Sequence, residues 1–387
     1  MNKYLQECQK VYRNILNNPS YYEKVKIILG NESCDLDSAI SALVYGYIVY
    51  HENKQKGLRN YEVLPLLNVS HEDLPVKTEV TFYLKLHAIC LDNILTKVNK
   101  DNFSLTKLYR AGVLDLTLVD HQVLGPGDEE LAPCVTEIID HRPRASNLES
   151  SNAEVTVEQV GSCCTLIAKK ILQRSPHLLT FQICHLLYGP ILLDTFNFSA
   201  EAGKTTESDK HVISMLEKKI SVDRNRLFQD LIYAKTQVAG LTEAQILSKD
   251  LKIIGGIPVC GLPMLVQDFI NRPNIEDLLL NFLRSKNYSP VMMMMGVKIT
   301  EDVVDKDLAV VSTQASLSEK VIQALIQFDN PSLGLKEIKD HKLKYVRLFS
   351  QSNVRMSRKQ ISPIIQKVDT SVIQEEQKAS KTVENKN

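Results

Sequence analysis

At 387 residues, with 44% hydrophobic and 24% charged residues, the chain has the composition of an ordinary globular protein and the length for two domains, each with its own core. Lysine plus arginine equals aspartate plus glutamate at 46 each, which excludes a histone-like or coat-like polyanion carrier and predicts no nucleic-acid partner. The eight cysteines form no C-x-x-C pair, the start MNKYLQECQKVYRN has no apolar core, and no segment offers about 18 uncharged apolar residues; a reduced, cytoplasmic location without signal peptide, membrane span or membrane partner is expected.

In chain order, residues 1–22 read as an N-terminal extension. An apolar strand over 25–29 then runs into the polar loop Gly30-Asn31-Glu32-Ser33-Cys34-Asp35-Leu36-Asp37 and an amphipathic helix from 38 to about 51. Aliphatic runs at 62–69, 79–86, 115–119 and 135–139 predict further strands, and helical patterns lie at 105–110 and 166–172. Such alternation predicts an α/β fold with a mainly parallel sheet flanked by helices, occupying 23–215. Residues 204–226 turn polar and charged, and 216–226 read as the interdomain linker. A second, smaller α/β domain is expected over 227–368, with strands at 290–297, whose four methionines read as buried core, and at 308–313. The polar stretch 369–387 predicts a disordered tail.

In parallel sheets, ligands bind beyond the carboxyl ends of the strands, and Asp35, Asp37, Asp120, Asp140 and His141 each follow an apolar run. Asp35-Leu36-Asp37 puts two carboxylates on one loop, either to hold a hard divalent ion or, with Asp37 or Ser38, to cap the next helix. Asp120-His121 and Asp140-His141 repeat one design, a strand delivering an acid and then an imidazole; the recurrence favours His141 as a metal ligand over a structural histidine. Asp194 interrupts the apolar run 191–196 and needs a partner, either a structural cation or a metal shared with Asp35, Asp37 and Asp120. Gly161-Ser162-Cys163-Cys164 opens a helical run that either points backbone N–H groups at an anion or is simply capped by Ser162.

In this order the motifs resemble those of the DHH phosphoesterases, which include the manganese-type inorganic pyrophosphatases and exopolyphosphatases, and most closely those of the animal prune proteins. The pyrophosphatase loop His-x-x-x-Asp-x-Asp falls on residues 31–37, the metal-bridging aspartate on Asp120, the Asp-His-His motif on Asp140-His141-Arg142 and the last metal aspartate on Asp194. Asn31 and Arg142 stand where the pyrophosphatases have metal-binding histidines, as in prune, and Gln122 departs from the usual Asp-His-His of the second motif. Lys204-Thr205-Thr206, Asp250-Leu251-Lys252 and Ser357-Arg358-Lys359-Gln360 continue the resemblance; taken alone, Arg358-Lys359 reads as a solvated basic pair.

The resemblance implies a metal-dependent phosphohydrolase that cleaves short-chain polyphosphate. Two ions, Mg²⁺ or else Mn²⁺, would be held by Asp35, Asp37, Asp120, His141 and Asp194. Asp120, His141 and Arg142 would be catalytic, and Asn31, His121, Arg142, Lys252, Arg358 and Lys359 would bind substrate, with the substrate between the two domains. The alternatives it implies are cyclic-nucleotide phosphodiester hydrolysis and a weakly active scaffold for a nucleoside diphosphate kinase.

Overall fold

The run Val-Lys-Ile-Ile-Leu becomes a central strand because its residues 25 and 27–29 are fully buried, which continuous apolar sequence permits only between covered faces. The computed structural model describes residues 1–98, 103–125, 127–145, 153–200, 202–285, 289–299 and 304–368. It divides into two compact units, Met1–Gln237 and Val238–Asn387.

The first unit runs α1 (Asn2–Asn17), β1 (Lys24–Leu29), α2 (Leu36–Gln55), β2 (Tyr61–Ser70), α3 (Thr78–Leu86), β3 (Thr96–Val98), α4 (Leu105–Arg110), β4 (Leu114–Val119), β5 (Val135–Asp140), β6 (Glu154–Val157), α5 (Cys163–Arg174), α6 (Phe181–Asp194), α7 (Glu207–Glu217) and α8 (Arg224–Thr236). Its six strands pair in the order β3-β2-β1-β4-β5-β6, every pair parallel. The order reverses between β1 and β4, and there the connections leave the sheet in opposite directions. The mainly parallel sheet flanked by helices is thus as the sequence predicts.

Three expectations need correction. Residues 79–86 form α3, not a strand, because their buried side chains Val80, Tyr83 and Leu84 recur at helical spacing. The N-terminal 22 residues are not an appendage: Tyr4, Leu5, Cys8, Tyr12 and Ile15 form one stripe of α1 buried in the first core, and the Tyr4 hydroxyl donates to the Val63 carbonyl at 3.2 Å. Residues 216–226 do not link the units, since Leu216, Ile220, Leu227 and Leu231 belong to that same core; the division falls after Gln237.

The second unit continues with α9 (Glu243–Lys249), β7 (Leu251–Ile254), β8 (Ile257–Leu262), α10 (Val266–Ile270), α11 (Ile275–Ser285), β9 (Val291–Ile299), β10 (Val304–Ser312), α12 (Ala315–Ile326), β11 (Leu335–Ile338), β12 (Val346–Gln351) and α13 (Arg358–Gln366). Its sheet, β11-β12-β10-β9-β8-β7, is antiparallel except for the parallel pair β8 and β9. The methionine run lies on β9 and is buried on both faces: Met293 joins one core cluster, and Met292 and Met294 join the other. Residues 369–387, expected to be a disordered tail, lie outside the described residues. No helix among the described residues is long and apolar enough to cross a membrane.

Candidate active site

Beyond the carboxyl ends of β1, β4 and β5 lies a cavity of about 450 Å³, at the point where the strand order reverses. Asp35, Asp37, Asp120, His141, Arg142 and Asp194 all line it. Five come from the loops and first helical turn after these strands, and Asp194 is the last residue of α6. Lys204 lines the cavity too; it precedes the Thr206–Asp209 capping box that starts α7, and that box was the local signal for a fixed position.

The helix starts explain the geometry. Asp35 is the N-cap of α2, its Oδ1 accepting from Ser38 N at 3.1 Å, so the capping role falls on Asp35 and neither on Asp37 nor on Ser38. Asp37 is left free to turn inward and is 3% exposed. Its Oδ1 accepts from Ser162 Oγ at 2.6 Å and Cys164 N at 2.8 Å, and its Oδ2 from Cys163 N at 2.6 Å. The N-terminus of α5 therefore points its amides at an anion, and that anion is Asp37. Ser162 does not cap its own helix. Gly161 is demanded by close approach: a Cβ there would lie 2.5 Å from Thr195 Cγ2 and 3.0 Å from Asp209 Oδ2, the oxygen that accepts from Gly161 N.

Asp120 is 1% exposed and sits at φ 61°, a left-handed conformation held by its own backbone bonds: its N–H donates to Ile139 O, and its carbonyl accepts from Asn31 Nδ2 at 3.1 Å and from Arg142 Nη1. Asn31 Nδ2 also reaches Asp120 Oδ2 at 2.5 Å, while Asn31 Oδ1 accepts from Ser33 Oγ and Cys34 N. Every polar atom of the Asn31 side chain is thus engaged within the protein. It orients Asp120 and is not among the residues that line the cavity. His121 is likewise not brought to the cavity; its Nδ1 lies 2.9 Å from the Val119 carbonyl. Gln122 ties together the loop after β5, donating to Asp140 Oδ2 and the Pro143 carbonyl and accepting from Ala145 N.

The electrostatics of the cluster are those of crowded acids. Burial, then the charges of Asp37 and Asp35, push the Asp120 carboxyl up to about 7 against the pull of His141 and Arg142. Burial with Asp37, Asp35 and Asp120 raises Asp194 well above the usual carboxylate range, and its Oδ2 is buried with no hydrogen-bond partner among the described residues. His141 Nε2 lies 3.3 Å from Asp120 Oδ1 and 3.8 Å from Asp37 Oδ2. Burial lowers the His141 pKa, but the hydrogen bond with Asp120 and the charge of Asp37 outweigh it and raise it to about 9. Arg142 Nη1 lies 2.7 Å from Asp120 Oδ1 and 2.9 Å from Asp140 Oδ1, the rest of the side chain being half exposed.

In the second unit, Arg358 starts α13 and binds the Asp250 carbonyl through Nη1 at 2.6 Å and Asp250 Oδ1 through Nη2. Lys252 is exposed on β7, and the side chain of Lys359 lies outside what the structure describes.

Residues 229–368 match the family model of the DHHA2 domain. Exopolyphosphatase PRUNE1 of Bos taurus is 32% identical over 373 residues, covering 95% of this chain and 79% of that protein. The chain belongs to the prune family. A probable manganese-dependent inorganic pyrophosphatase of Brevibacillus brevis is 25% identical over 59% of this chain and 65% of its own length. The solved structure of a Methanococcus jannaschii putative family II inorganic pyrophosphatase overlays with a TM-score of 0.49 at 18% identity, covering 89% of this chain and 99% of that one.

The side chains of this prune-family site fit a divalent cation. Asp37, Asp120 and His141 each offer a ligand atom within 4.8 Å of the others. His141 Nδ1 lies 2.9 Å from the Val160 carbonyl, an acceptor only, so Nδ1 keeps its proton and Nε2 is the nitrogen that faces the two carboxylates, where a cation would displace the second proton. Asp194 Oδ2 supplies a further unengaged oxygen.

Proposed function

We propose that the chain is a metal-dependent phosphohydrolase that cleaves the phosphoanhydride bonds of short-chain inorganic polyphosphate. The observation that carries this reading is Asp194, whose buried Oδ2 has no hydrogen-bond partner among the described residues in a cavity already lined by Asp35, Asp37 and Asp120. An isolated buried carboxylate is costly, and a structural role would have matched it with a cation or donor of the chain. The similarity to an exopolyphosphatase and to a manganese-dependent pyrophosphatase supports phosphoanhydrides as the substrate class.

A divalent ion here supplies charge neutralisation of phosphoryl oxygens and lowers the pKa of a water nucleophile. The chain does the rest. Asp35, Asp37, Asp120, His141 and Asp194 would hold the cation, and the α5 amides and Ser162 fix the orientation of Asp37. Asn31 and the Ile139 carbonyl lock Asp120 in its strained backbone position. Arg142 and Lys204 present positive charge at the cavity to phosphoryl oxygens. Lys252, Arg358 and Lys359 are the second unit's candidates for holding further phosphates. Carboxylate oxygens outnumber the one imidazole, which favours Mg²⁺ over softer, imidazole-preferring ions. A scaffold for a nucleoside diphosphate kinase is the alternative, and the unpaired Asp194 counts against it, because a docking surface has no use for a buried acid without a partner.

Phosphorus-31 NMR tests the reading. With Mg²⁺ alone, tetrapolyphosphate should release orthophosphate while cyclic AMP stays intact. Cyclic AMP as the better substrate would replace anhydride with phosphodiester chemistry, and no turnover of either with Mg²⁺ or Mn²⁺ would favour the scaffold.

A further inference from the structure

The site has two halves of opposite hydrogen-bonding character. In one, the carboxylate oxygens of Asp140 and Asp120 meet N–H donors. Asp140, 1% exposed, accepts from Arg142 Nη1 at 2.9 Å and from Gln122 Nε2 at 2.6 Å. Asp120 Oδ2 accepts from Asn31 Nδ2 at 2.5 Å, and Asp120 Oδ1 from Arg142 Nη1 at 2.7 Å. Guanidinium and amide N–H groups have no lone pair to offer a metal. In the other half lie the atoms a cation could claim: His141 Nε2 once its proton is displaced, Asp194 Oδ2, which has no hydrogen-bond partner among the described residues, and Asp37 Oδ2, which takes a single backbone N–H. Asp120 Oδ1 lies at the border, 3.3 Å from His141 Nε2.

We propose that the Arg142 guanidinium is a built-in substitute for one metal ion, so that each chain binds one divalent cation, in the half formed by Asp37, Asp120, His141 and Asp194. The inference deepens the metal-dependent reading above and rests on it. It also replaces the two-ion count that the pyrophosphatase pattern implies. A carboxylate that bridges two cations must turn one oxygen to each, and Asp120 has turned one to Asn31 and shares the other with Arg142. The charges agree. Asp35, Asp37, Asp120, Asp140 and Asp194 carry five formal negative charges around the site; Arg142, which pairs with both Asp120 and Asp140, permanently neutralises one of them. Because Arg142 is tethered to the loop after β5 and 46% exposed, its remaining N–H groups can meet a phosphoryl oxygen without having to be recruited from solution. A fixed cation brings directional donors, whereas an ion would bring open coordination positions for both substrate and water.

The test is a count of bound ions. The full chain is stripped of metal with chelator and titrated with Mn²⁺ alone, free and bound ion being separated by equilibrium dialysis and the bound ion examined by electron paramagnetic resonance. One Mn²⁺ per chain, with the six-line spectrum of a magnetically isolated ion, is expected. The double variant Asn31→His/Arg142→His restores two imidazoles in place of the amide and guanidinium, and it should bind two Mn²⁺ with a spectrum broadened by coupling between neighbouring ions. Two ions of similar affinity in the unaltered chain would overturn the proposal while leaving the metal-dependent reading intact. Binding of no ion by a folded chain would instead sink that reading itself. A double variant that still binds one ion would show that Arg142 is not what limits the count. If the double variant does not fold, the stoichiometry and spectrum of the unaltered chain decide by themselves.

Discussion

Asp115 and Asp120 belong to opposite ends of one strand, β4, and both are buried, at 7% and 1% exposure. At the amino end, Asp115 meets Lys26 Nζ at 2.9 Å, the Tyr61 hydroxyl at 2.6 Å and the Thr136 hydroxyl. Glu137 on β5, which pairs in register with Thr117 of β4, is closed in the same way by the Tyr45 hydroxyl at 2.6 Å and Lys170 Nζ at 3.0 Å. At the carboxyl end the acids outnumber their cations, the backbone is strained, and Asp194 Oδ2 is left without a hydrogen-bond partner among the described residues. Equal burial therefore carries two meanings. A buried acid whose lone pairs are filled by its own chain is architecture, and one that the chain leaves open is a place for something the chain does not contain.

Substitutions at the two ends should separate these meanings, and the largest effect belongs to the open end. Asp120→Asn keeps shape and tolerates φ 61°, since asparagine enters the left-handed region readily. Turnover should nevertheless drop at least about a hundred- to a thousandfold, more than is typical for losing a group that merely supports a ligand. Thermal unfolding of the metal-free chain should be unchanged or shifted upward, because repulsion from Asp37 and Asp35 is relieved. Turnover unaffected at saturating Mg²⁺ would remove Asp120 from the chemistry.

The second unit offers the next test. Replacing Arg358 and Lys359 together by alanine should lower kcat/KM for tetrapolyphosphate by roughly two orders of magnitude, the lower end for two charge-assisted contacts, because Arg358 already spends its guanidinium on Asp250. Calorimetric Mn²⁺ affinity should not move. Unaltered kinetics would return this motif to a structural Asp250–Arg358 tie with a solvated lysine beside it.

At the closed end the readout is stability instead of rate. Lys26→Met leaves Asp115 buried without its cation and should cost about 3 kcal/mol, the low end for breaking a buried pair, because Tyr61 and Thr136 remain. The urea transition of the first unit reports this, and kcat should stay within about twofold if the closed end has no part in the reaction. A large fall in kcat with unchanged stability would erase the distinction between the two ends.

The smallest effect concerns a second pair of histidines. His87 Nε2 lies 2.8 Å from His185 Nδ1 on the seam of α3 and α6, and burial, with the charge of His185, pulls the His87 pKa down to about 3. A histidine depressed in the folded state is stabilising only while neutral. Stability should be complete above the unfolded value near 6.5 and fall on acidification towards 3, by at most about 1.4 kcal/mol per pH unit for one proton. His87→Asn should flatten that slope between pH 6 and 4. An identical pH profile in the variant would place the acid sensitivity elsewhere.

The sequence by itself determined the parallel sheet of the first unit. Short apolar runs bounded by polar loops are legible wherever a strand is buried on both faces, as at residues 25–29, 115–119 and 135–139. It also pointed to the site residues, because Asp35, Asp37, Asp120 and His141 each follow an apolar run at a strand end and Asp194 interrupts one where a charge needs a reason. It erred where one period mimics another: residues 79–86 are apolar enough for a strand, and only the partners of Val80, Tyr83 and Leu84 made them a helix. The core value of residues 1–22 and 216–226 was invisible for a similar reason, since a helical stripe becomes core only when another element covers it.

Tertiary structure alone decided what each site residue does. Asn31 and Arg142 look in sequence like losses from a metal site, yet in space their N–H groups fill oxygens that a metal would otherwise take. The anion of the α5 N-terminus is Asp37, separated from it by more than a hundred residues, as the hydrogen bonds from Cys163 and Cys164 show. Which oxygen is satisfied and which is left bare depends on distances of a few tenths of an ångström between segments far apart in the chain, and no local pattern of residues encodes those.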